Sequence, residues 1–473
     1  MKSKGFRMFI FAAAIAMVFS VSAFGKTVEK PKKIVAILDD ILKPEDGQDQ
    51  FFKEYEKQTG IKLEVTQPPH QQYYEKLKLA FATGDIPDIV EISAPDYVNY
   101  AQQGAFVPLD NYIKKSGVLK KGDPKYLYSG KVNGKTYGFP VDNGGGCVTY
   151  IRKDWLDKLG LKVPTNWDEM VEVMKAFTFK DPDGNGKNDT VGYTAPGVNG
   201  DLYLRDVLQN AVLDFTVKGG KWVDGMAQPE FKKAMERFKR GYAEGIIDKE
   251  IFTNNTSTCR DKFYAGRVGI FTYWSGTRAI EMEERVQQGP SGKSARVIPI
   301  PAIKGSHYVN RVPVFHAITV KSKNPEGVFK YFIEYAHDGG VGQLLFSRGV
   351  EGVHWVKKGN DYQILPSKAN PGQLFTKSYI HPVQEITPGN DPFKIDPRIT
   401  NSIKVFQAGS VMQKLAPASP TLLRVGADLD ALRQEVISKI LIGEYSVNDG
   451  MALYVKRSQA LGIAKILEEM NQK

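Results

Sequence analysis

Asp181, Asp183, Asn185 and Asp189 place oxygen-bearing side chains at positions one, three, five and nine of the run DPDGNGKND. Calcium prefers several hard oxygen ligands, and alternate residues of a tight loop can converge on one ion. Gly186 stands at position six, where such a loop turns sharply, and Lys187 at seven is placed to offer its carbonyl. These are the first nine positions of a calcium loop of EF-hand type. Position twelve is Gly192, so the usual bidentate glutamate has no counterpart. The expected ion is a structural Ca2+ held by Asp181, Asp183, Asn185, Lys187 and Asp189, since a catalytic metal needs an open coordination position. Without metal, the same residues make a glycine- and Asx-rich turn.

Other chemistry leaves little trace. No G-x-S-x-G, H-E-x-x-H or thiol–histidine signature occurs among the two cysteines and six histidines. Neither Cys147 nor Cys259 has a partner at zinc-ligand spacing, and both a disulfide and two buried thiols remain open. Carboxylates are plentiful, so a secreted polysaccharide-degrading enzyme with an acid pair stands as the alternative function.

The elements that must position these residues begin with Lys33–Leu38, KIVAIL, a short apolar run typical of a buried strand. A helix fits 46–58, with Phe51, Phe52 and Tyr55 on one side and Gly60 as its stop. Residues 61–65 alternate as a second strand. A helix carrying Tyr74, Leu77 and Phe81 stops at Gly84, 89–92 form a third strand, and a third helix runs from Pro95 to Gly104. The order βαβαβα with short connections implies a parallel, doubly wound sheet. Ligands of such sheets bind beyond the carboxyl ends of the strands, which points to the loops holding Asp39-Asp40, His70 and Ser93. None of these loops carries a glycine-rich phosphate cradle. Gly144-Gly145-Gly146 leads into a strand at 147–151 and reads as a hinge.

The first 25 residues read as a leader. Lys2, Lys4 and Arg7 precede an apolar run from Met8 to Phe19, and small residues follow at Ser20, Ser22, Ala23 and Gly25. That order is the order of a secretory signal peptide, with cleavage expected between Ala23 and Lys26. The first cysteine is Cys147, so acylation at the cleavage site has no thiol to use. A soluble, monomeric protein retained in a periplasm is expected. Removing the three leader cations lowers the formal charge from +11 to +8. The cations are scattered, which argues against nucleic acid and fits a solvated basic surface or an anionic ligand.

Several segments together resemble one family. Thr83–Val90 (TGDIPDIV), Val107–Asp110 (VPLD), Gly134–Pro140 (GKTYGFP), Tyr150–Leu156 (YIRKDWL) and Pro164–Glu169 (PTNWDE) are similar, in order, to family 1 extracellular solute-binding proteins. Gly349–Trp355 (GVEGVHW) resembles the oligosaccharide-binding branch that includes alginate-oligosaccharide carriers. The resemblance implies a periplasmic binding protein of type II: two α/β lobes, each doubly wound, joined by hinge strands and closing around a sugar. It implies the membrane subunits of an ABC importer as partner and an oligosaccharide, with a lean to acidic ones, as ligand. Lobe 1 is expected at 26–141 and 303–349, and lobe 2 at 142–302 and 350–473. Related carriers hold calcium in a similar loop, with an acid where Thr190 stands here.

Sugar sites pair aromatic platforms with polar groups that fix orientation. Trp155, at helical spacing with Leu156 and Leu159, reads as core, Trp167 as a helix start and Trp222 as a surface hairpin. Trp274 ends the apolar run VGIFTYW before Ser275-Gly276, and Trp355 follows a glycine-rich loop. By their position in the family both are expected in the cleft. Asp142 and Asn143, after the crossing strand, join them, with His70, Ser93, Tyr203 and Arg348 as further candidates. Arg348 is the expected partner of a uronate carboxylate.

Overall fold

The computed structural model describes residues 28–472 apart from 40–41, 70–71, 95, 118, 120–126, 142–144, 199 and 370–391. The expected leader, His70, Asp142 and Asn143 therefore lie outside the described residues.

The chain opens with β1 (Lys33–Ile37), β2 (Lys62–Thr66), β3 (Ile89–Ile92) and β4 (Gly138–Pro140). It continues with β5 (Cys147–Arg152), β6 (Val191–Thr194), β7 (Val268–Trp274) and β8 (Val297–Pro299), then β9 (Tyr308–Asn310) and β10 (Phe315–Ile318). The first sheet runs β2-β1-β3-β10-β4 and the second β8-β5-β7-β6. β1 pairs in parallel with both β2 and β3, as the βαβ pattern requires, while β10 enters antiparallel between β3 and β4. In the second sheet β7 is parallel to β6 and antiparallel to β5.

Both sheets are covered on two faces, which explains their near-continuous apolar strands. Alternate residues feed opposite cores: Ile89 packs with Ile34, Ala36, Phe51 and Phe332, whereas Val90 and Ile92 pack with Tyr97 and Phe315. In the second lobe Ile151 and Ile270 join the helices Trp167–Phe179, Pro229–Ala243 and Pro420–Leu441, while Tyr150 and Phe271 face the other layer. Gly192 in β6 allows a close helix–strand approach: a Cβ there would lie 2.6 Å from the Met174 backbone. No helix among the described residues is long and apolar enough to cross a membrane.

The crossings differ from the expected boundaries. Val297–Pro299 is an edge strand of the second sheet, and Ile300 and Ile303 pack in the second lobe's core. Return to lobe 1 therefore occurs after β9, not at 303. There Val141 N–H donates to Val314 O (2.9 Å) and Arg311 N–H to Gly145 O (3.0 Å). Departure at Gly349 is also corrected. Residues 350–369 stay with lobe 1, because Val350 and Ile364 pack on its core and Asp46 accepts hydrogen bonds from Ser367 Oγ and the backbone N–H groups of Lys368 and Ala369. Phe393 still packs on Trp355, whereas Arg398 already pairs with Glu283 and Glu284 of lobe 2. The chain thus passes to lobe 2 at 394–397, and Leu415 and Ala418 later touch lobe 1 again.

β9 is fastened to lobe 2. Tyr308 is fully buried, its hydroxyl donates to Ile300 O (2.7 Å) and accepts from Thr149 N–H (3.2 Å), and Arg205 Nε donates to His307 O (3.1 Å). A Cβ on Gly146 would stand 2.1 Å from Val309 O, so only glycine lets β5 begin so close to the crossing strand.

Candidate functional site

Trp274 is the last residue of β7, paired with Cys147, and Ser275 N–H then donates to Gly146 O (3.0 Å). The strand alternation buries its neighbours and leaves the indole half-buried where the second sheet meets the crossing segments. Its N–H is taken by the Tyr203 hydroxyl. The Arg311 guanidinium lies over its ring, 5.0 Å from the centroid. Tyr203 stacks on Tyr273 with centroids 6.5 Å apart. Tyr150, under this group, donates to Trp274 O at 2.9 Å. The result is an aromatic shelf with the Arg311 guanidinium over its Trp274 end and Arg260 and Arg278 over Tyr273.

Lobe 1 faces Arg311 with the strand ends of its own sheet. Ser93, just past β3, bonds the hydroxyl of half-buried Tyr74, and the Arg311 charge reaches both that hydroxyl and that of Tyr203. Asp39 and Glu91 are buried at the same sheet ends. Of the expected site residues, Trp274, Tyr203 and Ser93 thus come together around Arg311. Arg311 and Tyr74 escaped the sequence reading: YVNRVPV shows no period, and Tyr74 looked like part of a core helix face.

Trp355 and Arg348 are not part of this group. Trp355 is 6% exposed, its ring packs between Tyr362 and Phe393, and its N–H donates to Gly349 O (3.1 Å). These contacts place Trp355 in the packing of lobe 1, apart from the Trp274 shelf. Arg348 lies over Phe393 at 5.1 Å, within the same cluster. The two cysteines are free and buried, and burial pushes the Cys259 thiol up to about 12.

Below the shelf sits a buried carboxylate. Asp206 accepts from Thr149 Oγ1 (2.6 Å) and more distantly from Thr272 (3.5 Å), while its Oδ1 has no hydrogen-bond partner among the described residues. Burial pushes its pKa up to about 6.

The DPDGNGKND loop joins the helix Trp167–Phe179 to β6, away from the shelf. Asp181 accepts from the backbone N–H groups of Gly184, Asn185 and Gly186, closing the turn. Asn185 Nδ2 donates to both Asp183 (2.8 Å) and Asp189 (3.1 Å), and so stands where a cation would bridge those carboxylates. Partial desolvation and the adjacent Asp181 and Asp189 push the Asp183 carboxyl above its ordinary range. Thr190 is turned inward, donating to Phe177 O (2.7 Å), and Gly192 is locked against Met174. The oxygen set at one, three, five and nine fits a hard cation in chemistry. Among the described residues, however, no three His, Cys, Asp or Glu side chains stand in metal-holding geometry.

Residues 44–337 match the family model described as bacterial extracellular solute-binding protein. The chain belongs to that family. It is therefore an exported binding protein, and it holds a solute rather than transforming one. Lipoprotein LipO of Bacillus subtilis is 27% identical over 93% of this chain and 93% of its own length. The polygalacturonan/rhamnogalacturonan-binding protein YtcQ of the same organism is 28% identical, over 72% of this chain and 70% of its own. Among solved structures, the alginate-binding protein AlgQ2 without calcium ion superposes with a TM-score of 0.68 at 24% identity, covering 94% of this chain and 98% of that one. The shared fold is the two-lobed, type II periplasmic one.

Proposed function

We propose that this solute-binding protein captures an acidic oligosaccharide between its lobes and delivers it to the membrane subunits of an ABC importer. The observation that carries this reading is the Arg311 guanidinium held over the half-buried Trp274 ring, with Tyr203 beside it and Tyr74 and Ser93 across the cleft. An indole supplies a flat apolar face for a pyranose, and a guanidinium supplies paired donors for a carboxylate. Groups from both lobes meet at one place, so a bound sugar stabilises the closed arrangement. The names of YtcQ, a polygalacturonan/rhamnogalacturonan-binding protein, and AlgQ2, an alginate-binding protein, support the same class.

Calorimetry against oligouronates and neutral oligosaccharides of equal length tests this. Saturable one-to-one binding of the uronates is expected, with Arg311→Gln weakening it about tenfold or more. Equal affinity for neutral sugars, or release of shorter products, sinks the proposal.

Calcium is proposed as a weakly held structural ion of the Asp181–Asp189 loop, bound once the Asn185 amide turns its oxygen inward. The missing ligand at position twelve places its affinity at the weak end of such loops, with Kd about 10⁻⁴ to 10⁻³ M. The mature protein is proposed to be a monomer in the periplasm, cleaved after Ala23 or Gly25 and free of lipid. Intact mass of the native protein checks this: retained Met1 or an added acyl group rejects it.

A further inference from the structure

The second lobe carries a groove that shares no residue with the cleft. Ala227, Gln228, Pro229 and Lys232 form one wall, and Met451, Ala452, Val455, Lys456 and Gln459 the other, around about 560 Å³. The helix Val447–Ala460 turns Gly450, Tyr454 and Ser458 into the core. On the flank of that buried face Met451, half-buried against the core, and exposed Val455 lie four residues apart, one turn above the other. Val455 is 41% exposed. The wall surface is almost wholly apolar.

Charge narrows the occupant. Lys232 and Lys456 sit on opposite walls, both exposed and without an ion pair among the described residues, and no acidic residue lines the groove. Neighbouring cations are engaged elsewhere: Lys218 pairs with Glu230, and Arg457 with Glu435. The helix Pro229–Ala243 also begins at this wall, adding the positive end of its dipole.

We infer that the groove docks a peptide segment of a partner protein that presents a large apolar side chain between carboxylates. The apolar floor takes the anchor and the two lysines take the flanking charges, so anchor and steering come from different residues. All lining residues belong to one lobe, so docking is independent of saccharide and of lobe closure. This inference stands apart from the ligand reading above.

The test uses the whole mature protein, without sugar, and the labelled peptide acetyl-Glu-Glu-Leu-Phe-Glu-Glu-amide followed by fluorescence anisotropy. Saturable binding with Kd below about 1 mM is expected, weakened tenfold or more by Val455→Glu and by the Lys232→Glu, Lys456→Glu pair. Raising salt weakens it, and adding saccharide leaves it unchanged. All three positions are exposed, and melting curves of the variants check that folding is intact. Lack of saturation, equal binding by Val455→Glu, or equal binding of a peptide with Leu and Phe replaced by Ser overturns the inference. Vesicles of phosphatidylglycerol form the second arm: Val455-dependent adhesion to them, with no peptide binding, assigns the groove to a lipid surface and overturns it too.

Discussion

Trp274 and Trp355 look alike in sequence, each following a strand or loop break beside glycines, yet the fold treats them in opposite ways. The N–H of Trp355 is spent on the backbone oxygen of Gly349, and its ring is sealed by Tyr362 and Phe393. The N–H of Trp274 goes to the hydroxyl of half-buried Tyr203, and a guanidinium covers one part of its ring. One indole is finished by its own lobe; the other is finished by polar groups at the junction of two. A tryptophan next to a loop is thus a site candidate only when its N–H partner is itself part of a surface, and sequence does not print that partner.

The largest effect is expected at the enclosed ring. Trp355→Ala should cost about 3–5 kcal/mol of stability, with saccharide affinity unchanged in whatever fraction stays folded. Urea unfolding and calorimetry on one preparation measure both. A stable variant with lost affinity would place Trp355 back in the cleft.

Asp206 sharpens the contrast beneath the other ring. Its pKa is raised by burial to about 6, above the unfolded value, so the folded state holds the proton more tightly. The sign follows: this residue's contribution is fully present below about pH 4 and is lost as pH rises through about 6. At about 1.4 kcal/mol per unit, Asp206→Asn should gain up to about 3 kcal/mol relative to the parent at pH 7.5 and almost nothing at pH 4. Melting curves across that range check it. A pH-independent difference would show the carboxyl already charged when folded.

Trp274→Ala comes next, with about 2 kcal/mol lost in saccharide affinity and a melting temperature close to the parent's. If stability falls and affinity survives, the two tryptophans have the same role and the comparison fails. The smallest effect belongs to the calcium loop, remote from both rings. Calcium at tenfold excess over its Kd should add about 1.4 kcal/mol, seen as a rise in melting temperature that Asp183→Ala abolishes without touching sugar affinity.

What sequence revealed follows from the range of each interaction. β1, β2 and β3 and their helices were legible because local period and glycine stops set them, and a parallel order follows from short connections. Positions of crossing were not. Val297–Pro299 reads as a strand leading into the return to lobe 1, and only its pairing with β5 makes it an edge of the second sheet. Likewise 350–369 stays with lobe 1 through Asp46, some three hundred residues away in sequence. Arg311 was invisible because its importance comes from a ring on another strand. The oxygen spacing of the DPDGNGKND loop was plain, whereas the inward turn of Thr190 depends on a carbonyl in the preceding helix.

The fastening of β9 to lobe 2 governs how the molecule deforms. Tyr308 and Arg205 give that strand the stiffness of the body it is pinned to. Compliance is left to the few residues around Arg311 and Gly145, where the backbones of two crossings are tied to each other. Two tethers joined at one level, with a third crossing at 394–397, resist shear and twist while yielding to rotation about a single line. Closure of the lobes as proposed is then expected to follow one arc and to bring Tyr74 and Ser93 to the same place against Trp274, so the ligand meets a repeatable gauge instead of a loose jaw.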